Sequence, residues 1–242
     1  MKKKEEEMER PLLKAVLFDM DGVLFDSMKN HTLAWYETIS GMGIVCERNE
    51  FYLYEGATGE WTINHIFRRV YGREATAEEI ECIYAEKSRW FNELPLVEVM
   101  PGAKEVLEQV RELDLIPVVV TGSGQRSLLE RLEREFPGVF VAERMVTAFD
   151  VRQGKPHPEP YLKGLEKAGV TAAEALVVEN APLGVQAAVA AGIFTVAVNT
   201  GPIPVEKLRE AGAGVVLPGM PALADSFDDV VQLWRDGVFD RR

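Results

Sequence analysis

The sequence predicts an α/β fold, a Rossmann-like parallel sheet core carrying an inserted α-helical cap. Three observations lead there. From Pro101 onward short β-branched runs alternate with amphipathic stretches, the signature of strands and helices taking turns around a parallel sheet. Residues 28–97 lack such runs and repeat apolar side chains at three- and four-residue spacing, which is the helical period. A length of 242 residues, 47% of them hydrophobic, suffices for one large domain with a substantial insertion.

Taken in order, the mixed-charge run "MKKKEEEMER" makes residues 1–11 a solvated N-terminal extension. A strand over 14–18 follows and ends at Asp19. The core domain is expected over 12–26 and 99–242, and the cap over 27–98. Within the cap, "HTLAWYETISGMGI", "WTINHIFRRVYG" and "TAEEIECIYAEKSRWFNEL" each read as a helix, the last opening on a capping box from Thr76 to Glu79. In the core, "LIPVVV" (115–120) precedes the helical "SLLERLEREF". "ALVVE" (175–179) precedes "PLGVQAAVAAG", where Pro182 suits a first helical position and Gly192 a helix end. "FTVAV" (194–198) precedes "PVEKLREAG". No repeat of 20–50 residues and no low-complexity stretch interrupts the pattern.

Charge and composition exclude several roles. A formal charge of -12 and a pI near 4.9 argue against binding nucleic acid or an anionic membrane, since both need a basic face. An anionic substrate then requires a local cation or a metal. Cys46 and Cys82 show neither CxxC spacing nor nearby histidines, so no disulfide framework or zinc site is indicated. No apolar segment follows the N-terminal lysines and no run of about 18 apolar residues occurs, so a cytoplasmic location is expected. The chain is also expected to act as a monomer.

In open parallel sheets, ligands bind beyond the carboxyl ends of the strands. Asp19 and Asp21 follow the first strand; Thr121, Gly122 and Ser123 follow the second; Glu179 and Asn180 close a third. The loop "GKPHPEPY" adds Lys155. Oxygen donors at Asp19, the Asp21 region and Asn180 suit Mg²⁺, with Glu179 anchoring the ion's waters. Held ionised by the metal and Lys155, Asp19 becomes a nucleophile, and Asp21 a proton donor and acceptor. Bland readings compete with these. An EF-hand fails because Leu24 occupies the required glycine position and Asn30 the required glutamate. Thr121 and Ser123 equally suit helix capping, and a lone lysine is usually a surface residue.

These segments also carry a resemblance. "FDMDGVLFDS", "VVVTGSG", "GKPHPEPY" and "LVVENAPLGVQAA" resemble, in this order, the four motifs of the haloacid dehalogenase superfamily, and the insertion resembles the helical cap of its β-phosphoglucomutase-like branch. The resemblance implies an aspartyl-phosphate on Asp19 and general acid/base work by Asp21. It also implies a phosphoryl group held by Thr121, Ser123 and Lys155, with Mg²⁺ on Asp19, the Asp21 carbonyl and the fourth motif. That motif usually ends in Glu-Asp; Glu179-Asn180 here removes a negative charge and should weaken metal binding.

In the cap, His31 and Trp35 of "HTLAW" and Lys87 of "AEKSRW" resemble elements of the mutase. Its specificity loop carries a lysine and an arginine where "YEGATGEW" has Glu55 and Gly59, which disfavours a second, remote phosphate. Arg68, Arg69, Arg73 and Arg89 are the cations that could compensate. Glu55 is expected to swing in with the cap and join the metal. "EGATGEWTIN", "VVTGSGQ" and "VVENAPLGV" resemble a pyrophosphate-hydrolysing offshoot of the branch. The expected substrate is therefore a small phosphate compound, inorganic pyrophosphate first. A β-phosphoglucomutase, a sugar-phosphate phosphatase and a non-catalytic phosphate-binding protein are the alternatives.

Overall fold

Residues 12–124 and 126–237 are described by a computed structural model. The expected N-terminal extension lies outside them. Strand β1 (Ala15–Phe18) leads into helices α1 (Met28–Gly41), α2 (Gly59–Tyr71) and α3 (Ala77–Glu93), with a 3-10 turn at Arg48–Tyr52. There follow α4 (Ala103–Glu112), β2 (Ile116–Val120), α5 (Arg126–Glu135), β3 (Met145–Val146), α6 (Glu159–Ala168), β4 (Ala175–Glu179) and α7 (Pro182–Ala190). The chain continues through β5 (Phe194–Val198), α8 (Val205–Glu210), β6 (Val215–Leu217), α9 (Met220–Asp225) and α10 (Phe227–Asp236).

The six strands form one sheet in the order β3-β2-β1-β4-β5-β6, every pairing parallel. The expected α/β class is the one observed. Alternate residues of the central strands feed opposite faces: Val16, Phe18, Val119 and Val178 join one apolar cluster, and Leu17, Val118, Val120 and Val177 another. The strand order reverses at β1, between β2 and β4, which is where a crevice opens in a doubly wound sheet. Phe18 is in register with Val119 and with Val178, so Asp19, Thr121 and Asn180 leave the sheet at nearly one level.

The three helices after β1 bury a cluster of their own around Trp35, Ile39, Phe51, Ile63, Ile66, Phe67 and Ile83. Burying each such side chain contributes about 1.5–3 kcal/mol. Their ends are written locally. The Thr58 side chain accepts from the Trp61 amide at 3.2 Å, Gly72 closes α2 at φ 66°, and the Thr76–Glu79 capping box forms as its spacing predicts. Among the described residues no helix is long and apolar enough to cross a membrane.

Candidate active site

Asp19 lies 1% exposed at the carboxyl end of β1. The Lys155 ammonium donates to its Oδ1 at 2.6 Å, to Glu179 Oε1 at 2.6 Å and to the Val120 carbonyl at 3.0 Å. Lys155 is completely buried, and a buried ammonium without such partners would cost several kcal/mol, so these three acceptors are what hold it there. Burial opposes its charge, yet Asp19 and Glu179 keep its proton affinity above the ordinary value.

Glu179 is locked. Its Oε1 takes Lys155 and the Tyr161 hydroxyl at 2.8 Å, and its Oε2 takes the amides of Asn180 and Ala181 at 2.9 and 3.3 Å. All four acceptor positions of the carboxylate are therefore filled. Glu179 anchors Lys155. A side chain on Gly184 would put Cβ 1.7 Å from Glu179 Oε1, so that glycine makes room for the carboxylate.

Asp21 sits 3% exposed and belongs to a second chain of contacts. Its Oδ1 accepts from Ser27 Oγ at 2.6 Å and lies 3.1 Å from His31 Nε2. The Lys87 ammonium lies 2.8 Å from His31 Nδ1. An ammonium can only donate, so Nδ1 accepts and the imidazole proton sits on Nε2, facing Asp21. Burial works against the Asp21 charge, but His31 and Ser27 hold its carboxyl below the usual range. His31 is shifted down by burial and by Lys87, and Lys87 is brought by burial to about 8 although Asp21 and Glu55 support its charge.

The second group opens on a small cavity of about 40 Å³. Asp21, His31 and Lys87 line it together with Glu55, Gly122 and Ser123. The loop bearing Glu55 lies directly on the core: a Cβ on Gly122 would meet the Gly56 carbonyl at 2.3 Å, and one on Gly154 would meet Thr58 Cγ2 at 2.6 Å. Glu55 is raised well above the carboxylate range, first by burial and then by Asp21, Asp19 and Glu179. Thr121 is buried, and its hydroxyl oxygen accepts from the Ser123 amide at 2.9 Å. Trp35 lines the cavity and packs in the cap cluster.

The donor set fits a hard cation. Asp19 Oδ2 and Asn180 Oδ1 are buried side-chain oxygens without a hydrogen-bond partner, an arrangement costing about 1–3 kcal/mol per group unless something positive meets them. The Asn180 amide nitrogen faces Gly22, whose absent side chain leaves it room. Burial pushes Asp19 up to about 8; Lys155 opposes that, while Glu179 and Asp21 add to it. One more positive charge is what this corner lacks. Among the described residues no three His, Cys, Asp or Glu side chains converge as ligands, because the donors here are a carboxylate, an amide oxygen and main chain.

The structure thus gathers Asp19, Lys155, Glu179 and Asn180 into one group, and Asp21, His31, Lys87 and Glu55 into a neighbouring one, with Thr121, Gly122 and Ser123 at their border. Three participants escape the sequence reading. Ser27 looks like the N-cap of α1, yet its hydroxyl serves Asp21. Tyr161 ends the quoted "GKPHPEPY" but looks like a core aromatic, and Thr200, which donates to the Gly22 carbonyl at 2.7 Å, follows a strand without any motif.

Comparison with known proteins places the chain in a family. The family model described as haloacid dehalogenase-like hydrolase matches residues 16–198. Hexitol phosphatase A of Escherichia coli (strain K12) is 30% identical over 81% of this chain and 88% of its own. A phosphorylated carbohydrates phosphatase of Thermotoga maritima is 30% identical over 83% of this chain and 92% of its own. A solved structure described as a putative beta-phosphoglucomutase from Bacteroides vulgatus is 53% identical, with a TM-score of 0.88 over 93% of this chain and 91% of that one. With the four motifs meeting at one strand switch point and the match spanning both core and insertion, the chain belongs to the haloacid dehalogenase-like hydrolase family.

Proposed function

We propose that the protein is a Mg²⁺-dependent phosphatase that passes through an aspartyl-phosphate on Asp19, with a small phosphorylated sugar or polyol as its substrate class. One observation carries the reading: Asp19 has one oxygen on Lys155 and the other bare beside the bare Asn180 Oδ1. Asp19, Asn180 and the main chain at Asp21 would hold the ion. When bound, Mg²⁺ supplies the positive charge that keeps Asp19 ionised and balances the phosphoryl oxygens.

The chain's own residues do the rest. Asp19 attacks phosphorus, and Thr121, Ser123 and Lys155 hold the transferring group. Asp21 passes a proton to the leaving oxygen and later takes one from the attacking water. His31 presents its Nε2 proton to Asp21, and Lys87 stands behind it as a proton source with an affinity near working pH.

Substrate class rests on the relatives, whose names specify hexitol and carbohydrate phosphates. Phosphatase is favoured over phosphomutase by charge. Arg68, Arg69, Arg73 and Arg89 are each tied to glutamates at 2.6–3.1 Å on the cap surface, and Lys87 is the single cation lining the cavity among the described residues. A substrate bearing a second phosphate therefore finds little to hold it. Pyrophosphate, first on the sequence reading, becomes second here, because its second phosphoryl group meets the same shortage of cations.

Phosphate release should be measured with Mg²⁺ from hexitol, hexose, pentose and glycerol phosphates and from pyrophosphate, with Asp19→Asn as control. A coupled assay for glucose 6-phosphate from β-glucose 1-phosphate runs alongside. Release from a sugar or polyol phosphate, lost in the control, is expected. Isomerisation outrunning release, or release that persists in Asp19→Asn, overturns the reading.

A further inference from the structure

Tyr52 belongs by sequence to the helical insertion, at the end of its 3-10 turn. Its ring packs elsewhere, against the core cluster of Val185, Ala197, Ile203, Leu208 and Ala211. The seat is Gly201: a Cβ there would lie 2.9 Å from Tyr52 Cδ1 and 3.2 Å from Cε1, closer than a ring allows. Only a residue without a side chain lets the ring down at this point.

The preceding residue makes a different contact. Thr200 Oγ1 donates to the Gly22 carbonyl at 2.7 Å. Gly22 follows Asp21 directly, turns at φ 84°, and has Asn180 Nδ2 packed where its side chain would be. The segment between these two contacts is braced: the Asn199 amide donates to Leu217 at 2.8 Å, Asn199 Nδ2 to the Ile203 carbonyl at 2.7 Å, and the Thr200 amide to Val198 at 3.0 Å. A stiff loop therefore touches the cap through one residue and the catalytic loop through its neighbour.

We propose that residues 199–201 couple cap docking to the catalytic loop, with Thr200 as a positioning residue. Seating Tyr52 on Gly201 fixes the loop; the fixed loop holds the Gly22 carbonyl; and Gly22 sets the backbone at Asp21 and the space beside Asn180. When the cap lifts, that hold loosens, so the proton-transfer group and the ion corner are assembled only in the closed state. The inference rests on the catalytic reading of Asp21 and Asn180 given above. A tyrosine that merely glued the cap to the core would leave the catalytic loop indifferent to its loss.

A double-mutant cycle separates the two, because coupled sites give non-additive effects and independent ones do not. The full chain, Tyr52→Ala, Thr200→Val and the double variant are compared by amide hydrogen exchange over residues 20–25, with residues 176–178 of β4 as the reference for global opening. Each single change should speed exchange over 20–25 about tenfold, and the double variant should be no faster than either. Gly201→Ala, which displaces the ring from the core side, should reproduce Tyr52→Ala if that variant folds poorly. With a turned-over substrate, kcat should fall and KM stay within about twofold.

Unchanged exchange over 20–25 in both Tyr52→Ala and Gly201→Ala overturns the proposal, as does multiplication of the single effects in the double variant. Exchange needs no substrate. A wild type that hydrolyses nothing therefore sinks the catalytic reading while the cycle still decides whether cap and loop are coupled.

Discussion

Lys87 is the residue whose surroundings fix the direction of a pH effect. Burial lowers its proton affinity to about 8, against support from Asp21 and Glu55, and its ammonium sets the His31 tautomer that faces Asp21. Turnover should therefore fall as pH rises through about 8, and Lys87→Arg, which stays charged, should move that limb upward in a pH–rate profile from 6 to 10. Unfolding does not mimic this. A lysine with a lowered folded-state pKa leaves the unfolded chain holding the extra proton between about 8 and 10.5, so this group makes stability rise with pH across that window. A melting temperature that falls in step with activity would assign the limb to another group. Glu55 gives a second prediction at this scale. Glu55→Gln removes a carboxyl from the ion corner, and the Mg²⁺ concentration for half-maximal turnover should rise several-fold; an unchanged value takes Glu55 off the list of contributors. Asp19, Asp21, Thr121 and Lys155 were legible because strand ends and turn residues carry them. Ser27, Tyr161 and Thr200 were not, because each acts through a three-dimensional neighbour between 6 and 178 positions away.

The elements were legible to the degree that their signals are local. β1, β2, β4 and β5 announce themselves as apolar runs of four or five residues, and α3 by its capping box. β3 and β6 do not: two and three residues long, at the sheet edges, they exist through pairing with β2 and β5. Helix α7 is buried on several sides, so no amphipathic stripe marks it, and Pro182 with Gly192 delimits it instead. Its Gly184 is where element and site meet. The Gly184→Ala side chain would collide with Glu179 Oε1, backed by Lys155 and Tyr161, so carboxylate or helix must shift. Stability should drop by about 1–3 kcal/mol and turnover by at least about 100-fold, read from a denaturant melt and a phosphate-release assay. Activity within about twofold of wild type would show that Lys155 needs no anchor.

Across the whole molecule, a chain of formal charge -12 places two buried lysines among four carboxyls at the cleft. Lys155 and Lys87 are both buried at the cleft, whereas the cap arginines are spent on surface pairs. That the polar residues gather at the carboxyl ends of the strands was foreseeable from the alternation of strands and helices, whereas the switch point at β1 emerges only from the strand order. How the helical insertion lies on the core was not, because glycines at 122, 154 and 201 record that contact only once the two surfaces are together. The central claim is that Asp19 and Asn180 share a divalent ion beside a phosphorylatable carboxylate. Its most direct measurement is a crystal structure of the protein with Mg²⁺ and beryllium fluoride, a mimic of the phosphoryl group. The account predicts beryllium bonded to the Asp19 carboxylate and an ion touching both Asp19 and Asn180. Beryllium on another residue, or an ion that leaves those two oxygens bare, would contradict it.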